Sequence, residues 1–170
     1  MNHANSASTE TPPAVVRWLG YGGLAPFIVL AAGSFTAAEY AALCRVALVL
    51  YGALILGFVG ALHWAFAMTL PNLSAAKRNE CFTWSVVPAL LAWPAAMLVA
   101  MSAPISSASI SFGYNVAAAA LIIGLVANYV QDFRLARVAL LPAWYLPLRL
   151  RLTVVASVCL AAVGVAHFLR

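Results

Sequence analysis

The sequence predicts an all-α polytopic membrane protein, a bundle of five transmembrane helices. Three observations carry the prediction. Hydrophobic residues make up 65% of the 170 and charged residues only 8%, where a soluble domain carries roughly a quarter. Mean hydropathy is +0.99. The apolar residues also fall into continuous runs near or above the ~20 residues that cross ~30 Å of hydrocarbon. Nine basic and four acidic side chains cannot clothe a water-soluble surface of this size. The composition therefore excludes a soluble enzyme, a disordered tail and a disulfide-stapled secreted domain. The runs do not alternate, so helices rather than a barrel satisfy the backbone in lipid.

Residues 1–14 are small and polar, end in Thr11-Pro12-Pro13, and read as a flexible cytoplasmic tail before a single domain over 15–170. The first run, about 15–33, is interrupted by Gly20, Gly22, Gly23 and Pro26. It reads as a retained span, because Arg17 lies inside its edge with no other Lys or Arg before it. Cleavage near Ala31-Ala32-Gly33, as in a signal peptide, is the alternative. The second run, about 41–68, repeats Ala53, Gly57, Ala61 and Ala65 at every fourth position. Such a small-residue face lets another helix come close. It also places His63 about one turn below the interface, with Trp64 beside it as a headgroup anchor. His63 is expected to hydrogen-bond a neighbouring helix, with a ligand, quinone or proton site as the sharper reading.

The third run, about 82–101, contains Pro88 and Pro94 between Trp84 and Trp93. Each proline removes an intrahelical bond and predicts a kink. In the fourth run, about 112–130, Ala120, Gly124 and Asn128 lead on to Asp132 at i, i+4 spacing. That face passes from small to polar, and Asn128 is expected to bond across helices. The fifth run covers about 152–169. Between the last two lies 131–151, whose apolar middle is too short to span. Flanked by Arg134, Arg137, Arg149 and Arg151, and carrying Trp144 and Tyr145, it is expected in the inner interface. Asp132 is its only acid. A salt bridge to one of these arginines is expected before a catalytic role, since one carboxylate cannot supply a two-carboxylate mechanism.

Counting Lys and Arg on the two sides gives seven against two. The positive-inside rule then puts the N-terminus in the cytoplasm and the C-terminus in the periplasm, or on the equivalent sides in an organelle. The net charge of +5 does not indicate nucleic acid, because the cations lie between apolar runs and not on one solvated face. Cys44, Cys81 and Cys159 form no CxxC pair and read as free packing thiols. His63 and His167 fall near opposite faces, differing in depth by ~20 Å. A bis-His haem within one chain is thus disfavoured, and no metal or cofactor is predicted; a haem shared with another subunit is the remaining route.

Three tracts carry a resemblance: Gly57-Phe58-Val59-Gly60-Ala61-Leu62-His63-Trp64, Trp84-Ser85-Val86-Val87-Pro88-Ala89-Leu90-Leu91-Ala92-Trp93, and Pro142-Ala143-Trp144-Tyr145-Leu146-Pro147-Leu148-Arg149-Leu150-Arg151-Leu152-Thr153. With them, residues 15–169 resemble an uncharacterised family of proteobacterial inner-membrane proteins, similar to eukaryotic transmembrane protein 69, a mitochondrial membrane protein. The resemblance implies a five-helix domain of unknown function and carries no activity with it. It points to His63, Trp64, Trp84, Pro88, Trp93, Asp132, Trp144, Tyr145 and Arg149, to which the fourth-helix face adds Asn128.

No phosphate-binding loop, paired carboxylates or nucleophile with a partnering base is present, which disfavours an enzyme. The leading expectation is a small accessory, assembly or stabilising component of a larger membrane complex, held among membrane lipids. The alternative is binding or transport of a small hydrophobic molecule, a quinone or lipid, between helices two, three and four.

Overall fold

The computed structural model describes the backbone of residues 11–36, 38–102 and 107–168, with side chains throughout except at 38–39, 107–110 and 165–168. Most of the expected polar tail, His3 and the side chain of His167 lie outside the described residues. Every element among the described residues is helical: α1 Ala14–Gly22, α2 Ala25–Gly33, α3 Ala38–Thr69, α4 Ala75–Ser102, α5 Ser107–Ala136 and α6 Tyr145–Phe168. Together they provide five spans long and apolar enough to cross a membrane, with α1 and α2 forming the first.

The first span is broken because its glycines give the backbone little side-chain support and Pro26 cannot donate within a continuing helix. Pro26 instead falls in the opening turn of α2, where its missing N–H is not needed. The turn is closed by Leu24 N–H donating to the Tyr21 carbonyl at 3.0 Å. From α3, the Tyr51 hydroxyl donates to the Gly23 carbonyl at 2.9 Å, and its ring meets Phe27 edge-on at 5.1 Å.

Helix α3 is the centre of the bundle and packs on α2, α4, α5 and α6. Its buried face carries Leu56, Val59, Gly60, His63 and Ala67. The expected small-residue face lies to one side of this, with Ala61 and Ala65 exposed. The close approach is made by Gly60, where a Cβ would sit 2.6 Å from Pro88 Cγ of α4. A second approach occurs at Gly124 of α5, where a Cβ would lie 2.5 Å from Leu56 Cδ2 and 2.9 Å from Leu91 Cδ2. These positions need glycine for space rather than for conformation.

Helix α4 continues through both prolines. Near the first of them, the Ser85 hydroxyl donates to the Phe82 carbonyl at 2.7 Å. The helix begins earlier than hydropathy suggests, since Ser74 Oγ accepts from Lys77 N–H at 3.2 Å and caps a polar first turn. Asn72 before it takes a left-handed φ of 60°.

The 131–151 segment is the largest departure from expectation. Helix α5 runs on to Ala136 and α6 begins at Tyr145, leaving 137–144 as the connection. Polar residues extend these helices because they pair with each other inside the bundle, a contact that hydropathy does not register. The main core gathers Phe27, Leu48, Leu56, Tyr114, Leu121 and Leu160, and a smaller one gathers Ala67, Leu73, Cys81 and Leu135. Cys44, Cys81 and Cys159 are all free thiols.

Candidate functional site

Helical spacing brings buried polar groups to one end of the bundle. On α5, Asn128, Gln131, Asp132 and Leu135 share a face and are all buried. On α6, Tyr145, Arg149, Thr153 and Ala156 do the same, with Tyr145 half-buried at the helix start. His63 enters from α3.

Asp132 has no exposure, and each of its oxygens is engaged. Arg149 Nε donates to Oδ2 at 2.8 Å. The Tyr145 hydroxyl donates to Oδ1 at 3.2 Å, and His63 Nε2 lies 3.5 Å from the same oxygen. Pairing makes a charge tolerable in a span, where an isolated one is costly. The expected salt bridge at Asp132 is therefore present, and Arg149 is its partner. Rings complete the enclosure: His63 meets Phe66 at 5.8 Å, and Phe66 meets Tyr145 at 5.7 Å, both edge-on.

One turn along α5, Asn128 Oδ1 accepts from the Trp84 indole at 3.0 Å, the cross-helix bond expected of it. Beyond Asp132, Gln131 donates to Glu80 Oε1, which also accepts from Lys77 Nζ at 2.9 Å. Arg78 donates to the Ala67 carbonyl, joining the ends of α3 and α4.

Several donors in this centre have no protein acceptor. Arg149 Nη2 and Asn128 Nδ2 are buried without a hydrogen-bond partner, as are both ring nitrogens of His63. His63 meets the neighbouring helix α5 through Nε2, 3.5 Å from Asp132 Oδ1.

A cavity of about 110 Å³ adjoins this centre. Its walls include Leu24, Phe27, Val59, Leu125, Leu152 and Ala156, and its polar side chains are Arg149 and Thr153. Leu19 and Phe58 also line it and are 73% and 65% exposed, so it reaches the lateral surface beside the α1–α2 break. It lies among α1, α2, α3, α5 and α6. Where α4 meets α3 and α5, the Trp84–Asn128 bond and the Pro88 ring on Gly60 fill the interior, and the space beside α4 is a groove on the outer face of α3 and α4.

His63, Asp132, Tyr145 and Arg149 therefore converge, with Asn128 and Trp84 adjoining. Pro88 acts in packing, one turn from His63. Trp144 is peripheral, its ring 6.3 Å from that of Tyr145. Trp64 is half exposed and stacks edge-on with Phe82 at 5.0 Å, outside the centre. Trp93 is 68% exposed on the outer surface. Sequence reasoning missed Thr153, Gln131 and Glu80. Thr153 had a legible signal, standing four residues beyond Arg149; Glu80 had none. Among the described residues, no group of three or more His, Cys, Asp or Glu side chains is arranged to hold a metal ion.

A family model described as "Protein of unknown function (DUF3429)" matches residues 12–165. Transmembrane protein 69 of Xenopus tropicalis is 34% identical over 145 residues, which cover 85% of this chain and 51% of that protein. The chain thus spans about half the length of the curated relative it matches. No solved structure matches it.

Proposed function

The chain belongs to the DUF3429 family of membrane proteins of unknown function, and from that premise we propose that it binds or moves a small hydrophobic molecule, a quinone or a lipid. The observation that carries this reading is a buried ion pair whose arginine keeps an unpartnered donor and lines the inner part of an apolar cavity. A salt bridge that only fastened α5 to α6 would gain nothing from leaving donors open, since each buried orphan costs about 1–3 kcal/mol. Packed apolar residues would join the helices as well. Intramembrane polar groups facing a cavity are the usual substrate-handling pattern.

The test is mass spectrometry of small molecules retained after extraction in mild detergent. Wild type is expected to carry a hydrophobic molecule in near-stoichiometric amount, and a folded Thr153→Val variant to carry less. A wild-type protein that retains only detergent and bulk lipid overturns the reading.

A second reading, an accessory component of a larger complex, draws on the outer face of α3 and α4. There Ala53, Gly57, Ala89 and Ala92 floor a groove rimmed by Leu54 and Trp93. Small residues of this kind admit a partner helix in lipid. Gly57→Leu would then release a co-purifying partner without lowering stability. The placement proposed is a bacterial inner membrane with a cytoplasmic N-terminus and periplasmic C-terminus. Arg17, Lys77, Arg78, Arg134, Arg137 and Arg151 support it against Arg45 and Arg170, Arg149 being withdrawn into the bundle. Reporter fusions at the two termini test it.

A further inference from the structure

The chemistry at the buried end of the cavity restricts what can be seated there. Arg149 is 7% exposed, and its guanidinium is divided between two tasks. Nε is committed to Asp132 Oδ2 at 2.8 Å, while Nη2 has no protein acceptor. Thr153 lines the same cavity one turn further along α6. A guest seated here must bring a hydrogen-bond acceptor at one end and apolar surface along the rest.

Charge narrows the class again. Asp132 and Arg149 neutralise each other in a site with almost no solvent, so an anionic headgroup would add an uncompensated buried charge. A cation would meet Arg149 and find the Asp132 oxygens already engaged. A neutral carbonyl oxygen meets neither penalty. Resting on the small-molecule reading above, we infer that the cavity takes the carbonyl end of a neutral amphiphile, a quinone or an acyl ester. The carbonyl oxygen accepts from Arg149 Nη2, and the tail leaves between Leu19 and Phe58 into lipid. At about 110 Å³ the cavity is smaller than the ~150 Å³ that holds a benzene-sized guest, so it admits the carbonyl edge of a ring or an ester end rather than a whole ring or a whole lipid.

The experiment is equilibrium dialysis of the full chain in detergent against four probes: decylubiquinone, dioctanoylglycerol, palmitate and hexadecane. One or both neutral carbonyl probes are expected to bind about tenfold or more tightly than palmitate and hexadecane, and the preferred one identifies the source. Arg149→Lys keeps the charge beside Asp132 but not the second arm of the fork. It is expected to weaken that binding about tenfold, the effect of one charge-assisted hydrogen bond. Ala156→Leu, which fills the cavity without touching the ion pair, is expected to abolish it. Melting temperatures establish that each variant is folded; if Arg149→Lys is not, Thr153→Val and Ala156→Leu carry the test. Preference for palmitate, equal binding of hexadecane, or folded variants that bind as wild type does would each overturn the carbonyl inference while leaving a hydrophobic ligand in place. Binding of none of the four overturns both.

Discussion

Around Phe27, Leu48, Tyr114 and Leu160 the helices meet through apolar side chains, and the hydroxyl of the buried Tyr114 is satisfied by the Leu160 carbonyl at 2.7 Å. About three turns away along α6, the same helix presents Arg149 to Asp132. There Arg149, Asn128 and His63 all keep polar nitrogens without protein partners. Both regions are buried, and the same helices build both. The apolar region pairs its buried Tyr114 hydroxyl, as packing for stability requires. The polar region leaves several nitrogens open, and one of them, on Arg149, belongs to a side chain that lines a cavity. The difference separates what holds this bundle together from what it is equipped to do.

Four substitutions test that contrast, in decreasing order of effect. Asp132→Ala strands Arg149 as a buried, unpaired charge and is expected to cost about 3–5 kcal/mol, read by unfolding in mixed micelles. A loss below about 1 kcal/mol would mean that Arg149 finds solvent, and the two regions would no longer differ in kind. Gly124→Val drives a side chain into Leu56 and Leu91 between the two regions, for an expected loss of about 1–3 kcal/mol in the same assay. Tyr114→Phe removes one satisfied hydrogen bond from the apolar region. Its expected cost is about 0.6 kcal/mol, the ordinary size of such bonds in membrane proteins. His63→Leu is expected to lie within about 0.5 kcal/mol of wild type, because the Nε2 contact with Asp132 that it gives up is long, at 3.5 Å, and a buried imidazole is removed with it. A loss as large as that of Asp132→Ala would make His63 part of the scaffold.

Much of this was legible in the sequence, and for identifiable reasons. The five spans follow from run length, which depends on composition alone. The polar face of α5 follows from Asn128 and Asp132 standing four apart, and the need of a lone acid for a basic partner follows from its isolation. The choice of Arg149 over Arg134, Arg137 or Arg151 was not legible, because it depends on how α5 and α6 cross. The same crossing extends both helices into 131–151, which hydropathy reads as a loop. The repeat Ala53-Gly57-Ala61-Ala65 indicated one packing face, yet the bulk of the Pro88 ring selects Gly60 instead. Periodicity identifies candidate faces, but the partner's shape decides between them. The cavity was the least legible feature, since it arises where the broken first span fails to cover α6.

The most direct test of the account is photoaffinity labelling in native membranes with a short-chain quinone bearing a photoreactive group on its tail, mapped by peptide mass spectrometry. Labelling is expected to concentrate on α2 near Phe27 and on α6 near Thr153 and Ala156, to be displaced by excess decylubiquinone, and to weaken in Arg149→Lys. Labelling spread over lipid-facing residues such as Trp93 and Val154, unaffected by competitor or by that variant, would contradict it.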